Sequence, residues 1–134
     1  MMPPKPQTDL QIQPDIYLAA LVGVARIDGI RDVERDFITS QAALFGFAGQ
    51  IDWSGELDLQ RLREAASTAT LRLVIRDMVI LASIDGDYSG AERERIAAAA
   101  EALGLPDGFT PEMETWVARY LAVLADGKRI LESK

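Results

Sequence analysis

The sequence predicts an all-α fold, a compact helical bundle of about six helices built from two pseudo-symmetric helix–Asp-Gly loop–helix units. Three observations carry this. No segment alternates apolar and polar residues over enough positions to form a strand. Apolar residues recur every three to four positions through most of the 134 residues. One pattern, an apolar helix closed by Asp-Gly and followed by an amphipathic helix, occurs twice.

The elements follow in order. Residues 1–14 are polar and Pro-rich, lack an apolar signal core, and read as a mobile N-terminal segment; residues 15–134 read as one domain. The first helix starts near Asp15, after Pro14, and runs to Ile27; it is apolar almost all round, as a helix surrounded by others would be. Asp28-Gly29 ends it, glycine supplying the left-handed conformation of a helix C-cap. Asp32 is placed to cap a second helix bearing Val33, Phe37, Gln41, Leu44 and Phe45, which Gly46 closes. A connector from Phe47 to Leu57 precedes a short third helix with Leu59, Leu62 and Ala66.

Ser67 or Thr70 caps a fourth, apolar helix that ends at Asp85-Gly86. Ser89 to Glu101 forms the fifth, with Ile96, Ala99, Ala100 and Leu103 on one face. Thr110-Pro111, an N-cap and first-turn proline pair, opens a sixth helix expected to be buried through Met113, Trp116, Val117, Tyr120, Leu121 and Leu124.

Composition excludes several function classes. There is no Cys and no His, which removes disulfides, thiol chemistry, His-dependent triads and the usual zinc ligands. Any bound metal must be held by oxygens, which points to Ca²⁺ or Mg²⁺. A net charge of −7 opposes binding to nucleic acid. The longest apolar run, Ile16–Ala25, is about half of what a membrane span needs, so no membrane insertion and a cytoplasmic location are expected.

The two Asp-Gly pairs align the repeat. Leu21 to Gly29 matches Met78 to Gly86; with one residue more in the second loop, Val33 to Ile38 matches Ala91 to Ile96, and Phe45-Gly46-Phe47 matches Leu103-Gly104-Leu105. Apolar helix, Asp-Gly, a polar stretch with Glu-Arg, amphipathic helix and Leu-Gly-Leu close together resemble the TerB-like family of tellurite-resistance proteins, over roughly residues 15–125. The resemblance implies an all-helical bacterial domain linked to tellurite resistance and envelope stress. It implies action by metal binding or by contact with membrane-protein partners, without catalysis. The first loop, Ile30-Arg31-Asp32-Val33, departs from the pattern: it is shorter and carries an arginine.

The second loop is the sharpest local signal. Asp85-Gly86-Asp87-Tyr88-Ser89-Gly90 places side-chain oxygens at positions one, three and five and glycine at six, as an EF-hand loop does when it curls around a hard cation. The position that should carry a bidentate Glu is Ile96, so the candidate metal ligands are Asp85, Asp87 and Glu92, with affinity near ~10⁻⁴ M. Ser89 and Glu92 also form a capping-box pair, which employs the same side chains structurally. In the first loop Asp28, Asp32 and Glu34 are a second candidate set, although Asp32 reads first as a helix cap.

Other residues have structural readings. Asp77, beside Arg76 in the fourth helix, is expected on an exposed edge, because charged residues are seldom fully buried. Glu92, Arg93, Glu94 and Arg95 read as a solvated helix face. Trp53 and Trp116 are expected in the core. There is no phosphate-binding Gly-rich loop and no nucleophile elbow, so an enzyme is not expected. Two function classes stand: a non-enzymatic TerB-like domain for tellurite resistance or stress, holding Ca²⁺ or Mg²⁺ in its acidic loops, and a protein-interaction module docking a basic or membrane-protein partner, with those loops serving only as caps.

Overall fold

The computed structural model describes residues 11–27, 29–47, 49–84 and 87–133. They form six helices in the order α1 (Pro14–Arg26), α2 (Asp32–Leu44), α3 (Leu59–Ala65), α4 (Thr68–Ser83), α5 (Gly90–Ala102) and α6 (Phe109–Glu132), with no strand among them. α1 and α4 pack on each other at the centre; α2 lies on α1, α5 on α4, α6 on α4 and α5, and α3 bridges α1 and α5. The two apolar helices of the repeat are therefore the core pair. Tyr17, Leu21 and Val22 of α1 meet a shell that includes Val74, Ile75 and Val79 of α4, all fully buried.

The pseudo-symmetry extends to the helix ends. Ile38 and Ala42 of α2 are buried, as are their counterparts Ile96 and Ala100 of α5. Gly46 and Gly104 take φ of +77° and +79°. In each unit the glycine N–H donates to the carbonyl three back (Ala43, 3.1 Å; Glu101, 2.9 Å), and the next N–H reaches five back (Phe47 to Ala42, 2.7 Å; Leu105 to Ala100, 3.0 Å). These are paired Schellman closures, which need a residue without Cβ strain at the left-handed position.

Some boundaries differ from the sequence expectation. The cap of α2 is Arg31, and Asp32 is already the first helical residue. Leu44, expected on the inner face of α2, is 76% exposed, and Val33 is also exposed, because Ile38 and Ala42 define the buried side. α6 starts at Phe109 behind Gly108, one turn-fraction ahead of the Thr110-Pro111 signal. Of the N-terminal lead-in, residues 1–10 lie outside the described residues. Its described end is tied down: Gln13 N donates to Thr70 Oγ1 (3.0 Å), Gln13 Oε1 accepts from Ser67 N (2.7 Å), and the Gln11 carbonyl accepts from Ser67 Oγ (2.6 Å).

The connector between α2 and α3 crosses α1 at Gly23. A Cβ there would lie 2.5 Å from the Leu57 amide nitrogen and 2.9 Å from the Glu56 carbonyl carbon, so the backbones meet only because the side chain is missing. Arg26 Nη1 holds the same crossing by donating to the Gly55 carbonyl at 2.9 Å. Trp53 packs half-buried against the core, with the Arg35 guanidinium 4.5 Å above its ring. No helix among the described residues is long and apolar enough to cross a membrane.

Replacing Gly23 by Ala should lower stability by about 1–3 kcal/mol, since the obstructing atoms are backbone and cannot rotate away. Chemical denaturation with an unchanged m-value checks this; an unaltered midpoint would mean that the connector is not seated on α1.

Candidate functional site

Described residues on either side of the two Asp-Gly pairs line one cleft between the repeat units. Its floor is apolar, from Val24, Ile27, Met78, Leu81, Ala82 and Ile96, and its rim carries Arg31, Glu34, Asp87, Glu92 and Arg95, around about 350 Å³ of space. Glu34 and Glu92 occupy equivalent positions, each at the third residue of its helix, and both do the same work. Glu92 Oε1 accepts from Ser89 N (2.9 Å) while Ser89 Oγ accepts from Glu92 N (3.1 Å), a complete capping box. Glu34 Oε1 accepts from Arg31 N (3.0 Å) and Arg31 Nε (3.3 Å). This is half a box, because an arginine side chain has nothing with which to accept in return.

Of the candidate metal ligands, the structure brings Glu34, Asp87 and Glu92 to the rim of this cleft; Asp32 is exposed in the first turn of α2 and does not line it. Asp28 and Asp85 lie outside the described residues, as does Gly86 with its expected cap role. Among the described residues no three acidic side chains are grouped so as to hold a metal ion. The sequence analysis does not assign either arginine to the candidate site. Arg31 and Arg95 put positive charge on the same rim, which opposes a cation there and favours internal pairing.

The second loop is fastened to α6. Glu114 Oε2 accepts from Tyr88 Oη (2.6 Å) and from Arg93 Nε (3.0 Å), and the Arg93 guanidinium lies 5.2 Å from the Tyr88 ring centre. Burial, and then the hydrogen bond to Glu114, push the Tyr88 phenol well above its ordinary range, so it stays a donor. Arg93 is thus engaged by α6 and is not part of a purely solvated face.

Asp77 overturns its expected place on an exposed edge. It is 0% exposed, in the middle of the α1–α4 interface. One carboxylate oxygen accepts from Tyr17 Oη in a short hydrogen bond, the other from Arg76 Nε at 2.7 Å, and Gln41 Nε2 donates to Tyr17 Oη at 2.9 Å. α1, α2 and α4 are joined by this chain of polar atoms, and no buried side-chain N or O among the described residues lacks a partner. Burial is tolerable because Asp77 is satisfied on both oxygens. Desolvation still pushes its carboxyl above the ordinary range, against the pull of Arg76 and Tyr17. The Tyr17 phenol is pushed far up by burial and by Asp77, and so remains protonated. Tyr17 and Asp77 are fully buried and only Arg76 reaches the surface, so the cluster reads as a structural network.

The remaining surprise is α6. Trp116, Tyr120 and Leu124, expected in the core, are 38%, 39% and 51% exposed; Val123, Ile130 and Leu131 are 69%, 57% and 87% exposed. Only Thr110 and Val117 of this helix are buried. Trp116 and Tyr120 stack on each other, ring centres 5.1 Å apart and planes 7° from parallel. The sequence carries a signal for this: apolar residues on α6 cover a wider arc than a single core contact can use.

Tyr17→Phe should cost about 1–3 kcal/mol, since it strips a donor from buried Asp77 and an acceptor from Gln41. The pH dependence has a defined sign. With its folded-state pKa raised, Asp77 holds its proton more tightly in the native state, so its contribution is full below about pH 4 and is lost as pH rises through the elevated value. The stability difference between the native chain and Asp77→Asn should therefore shrink from acid towards neutral pH in denaturation series; a difference that grows would reverse the assignment.

No family model, no curated protein and no solved structure matches this chain.

Proposed function

We propose that this chain is a non-enzymatic protein-interaction module whose docking surface is the outer face of α6 and whose acidic loops serve as helix caps. The observation that carries the reading is the run of large apolar side chains, Trp116, Tyr120, Val123, Leu124, Ile130 and Leu131, exposed together on one helix. Contiguous exposed apolar surface of this kind marks interaction sites, and a Trp–Tyr pair is the usual anchor of such a site. The cap role of the loops is supported by the engagement of Glu34 and Glu92 with backbone N–H groups.

A second reading follows from the TerB-like resemblance: a divalent cation, Ca²⁺ or Mg²⁺, bound at the loops in a tellurite-resistance or stress role. The observation that favours it is the arrival of Glu34, Asp87 and Glu92 at one cleft.

Two experiments separate these. Immobilised full chain should retain partner proteins that the doubly substituted Val123→Glu/Ile130→Glu chain does not, with the melting temperature little changed because both positions are exposed; equal retention by both would end the α6 reading. Ca²⁺ and Mg²⁺ titrated into chelator-treated protein should leave the amide NMR shifts flat up to millimolar ion. Saturable shifts at residues 85–92, abolished by Asp85→Asn with Asp87→Asn, would instead make the cation reading the leading one.

A further inference from the structure

Gly127 lies within α6, where glycine weakens a helix relative to alanine. Nothing in the isolated fold requires it. It is not among the positive-φ glycines, and a Cβ built there meets no atom within 4 Å. Gly23, also inside a helix, is explained by the connector that presses on it.

Gly127 does belong to a strip. Met113, Trp116, Tyr120, Val123, Gly127 and Ile130 are spaced alternately three and four residues apart, the a and d positions of a heptad. Met113 is half-buried at the near end and the large side chains beyond it are exposed. Laid antiparallel on a second copy, about a twofold axis between Leu121 and Ala122, the strip is self-complementary. Trp116 falls opposite Gly127 of the second copy, Tyr120 opposite Val123, and Met113 opposite Ile130, so the largest ring meets the one position without a side chain. At the flanking g positions Arg119 of one copy falls opposite Asp126 of the other, twice by symmetry. Within one copy Asp126 also pairs with Arg129 (2.7 Å) and Lys128 with Glu132 (3.9 Å), all of them exposed.

We propose that the partner on this face is a second copy of the same chain, forming an antiparallel α6–α6 dimer in which Trp116 of each copy fills the space above Gly127 of the other. The inference rests on the reading of α6 as a docking surface and names its occupant. The paired strip is about 26 Å long, at 1.5 Å per residue. That is a small interface, which places the dimer among weak, reversible ones with a micromolar dissociation constant.

Sedimentation equilibrium of the full chain tests this. A monomer–dimer equilibrium is expected. Gly127→Ala should raise the melting temperature of the dilute, monomeric chain, by helix propensity, while weakening the dimer about tenfold by placing a methyl group under Trp116. A role for Gly127 within the monomer would move the melting temperature the other way. Arg119→Glu should weaken the dimer several-fold, and Arg119→Glu with Asp126→Lys should recover it; the two positions are two turns apart on one helix, so recovery reports a contact between copies. A dimer indifferent to Gly127→Ala, or charge reversal without recovery, overturns the inference. So does a chain that stays monomeric at millimolar concentration. In that last case the docking reading is decided separately by the retention experiment, and retention of other proteins by a monomeric chain assigns the face to a different partner.

Discussion

The hydrogen bond between the Tyr17 hydroxyl and the Asp77 carboxylate is the constraint around which the bundle is arranged. It joins the two most buried helices at the centre of the core, and both side chains are fully excluded from water. Apolar packing alone is permissive: leucines, valines and isoleucines on facing helices can slide or rotate by a residue at modest cost. A buried carboxylate cannot, because an alternative register takes away the Tyr17 donor and leaves it with Arg76 of its own helix alone. Gln41 extends the same logic to α2 through the second side of the Tyr17 hydroxyl, and the Phe45 ring meets the Tyr17 ring edge-on at 5.5 Å. Three helices are thus indexed against each other by four polar side chains, Arg76 included.

Much of this architecture was legible in the sequence, because the signals were local or repeated. The paired Phe-Gly-Phe and Leu-Gly-Leu motifs encode helix ends, and a helix end is decided within a few residues by which backbone groups lack partners. Asp77 was misplaced for the converse reason. Its partner Tyr17 is sixty positions away in the chain, and from sequence a charged residue on an apolar helix defaults to the surface. Asp32, a favoured capping residue, draws the cap assignment in the sequence, and the cap falls one residue earlier, on Arg31. The structure shows that Glu34 alone, reaching back to the Arg31 amide, secures that end.

The candidate site divides along the same line. The acidic loops are visible in the sequence, and of their candidate ligands the structure brings Glu34, Asp87 and Glu92 to a shared cleft. The sequence could not show that two arginines would stand beside the acids, since Arg31 and Arg95 meet there only through the packing of the two units. α6 was misread by the ordinary inference that apolar means inside. Its residues satisfy helical periodicity whether they face the core or a partner. What separates the two is the width of the apolar arc: Phe109, Thr110, Met113, Val117 and Leu121 make the contact with the bundle, and Trp116, Tyr120 and Val123 lie beyond it.

The clamp on Glu114 gives α6 a mechanical character. Tyr88 and Arg93 grip the same carboxylate oxygen close to where the helix leaves the body, while the farther half has no buried side chain. The helix is about 36 Å long for its 24 residues, and the part beyond Leu121 stands out as a rigid arm. Whatever sits on the arm inherits its direction from that grip. The orientation of one body relative to the other would then be set by a carboxylate near the root of the helix and not by the surface that makes the contact.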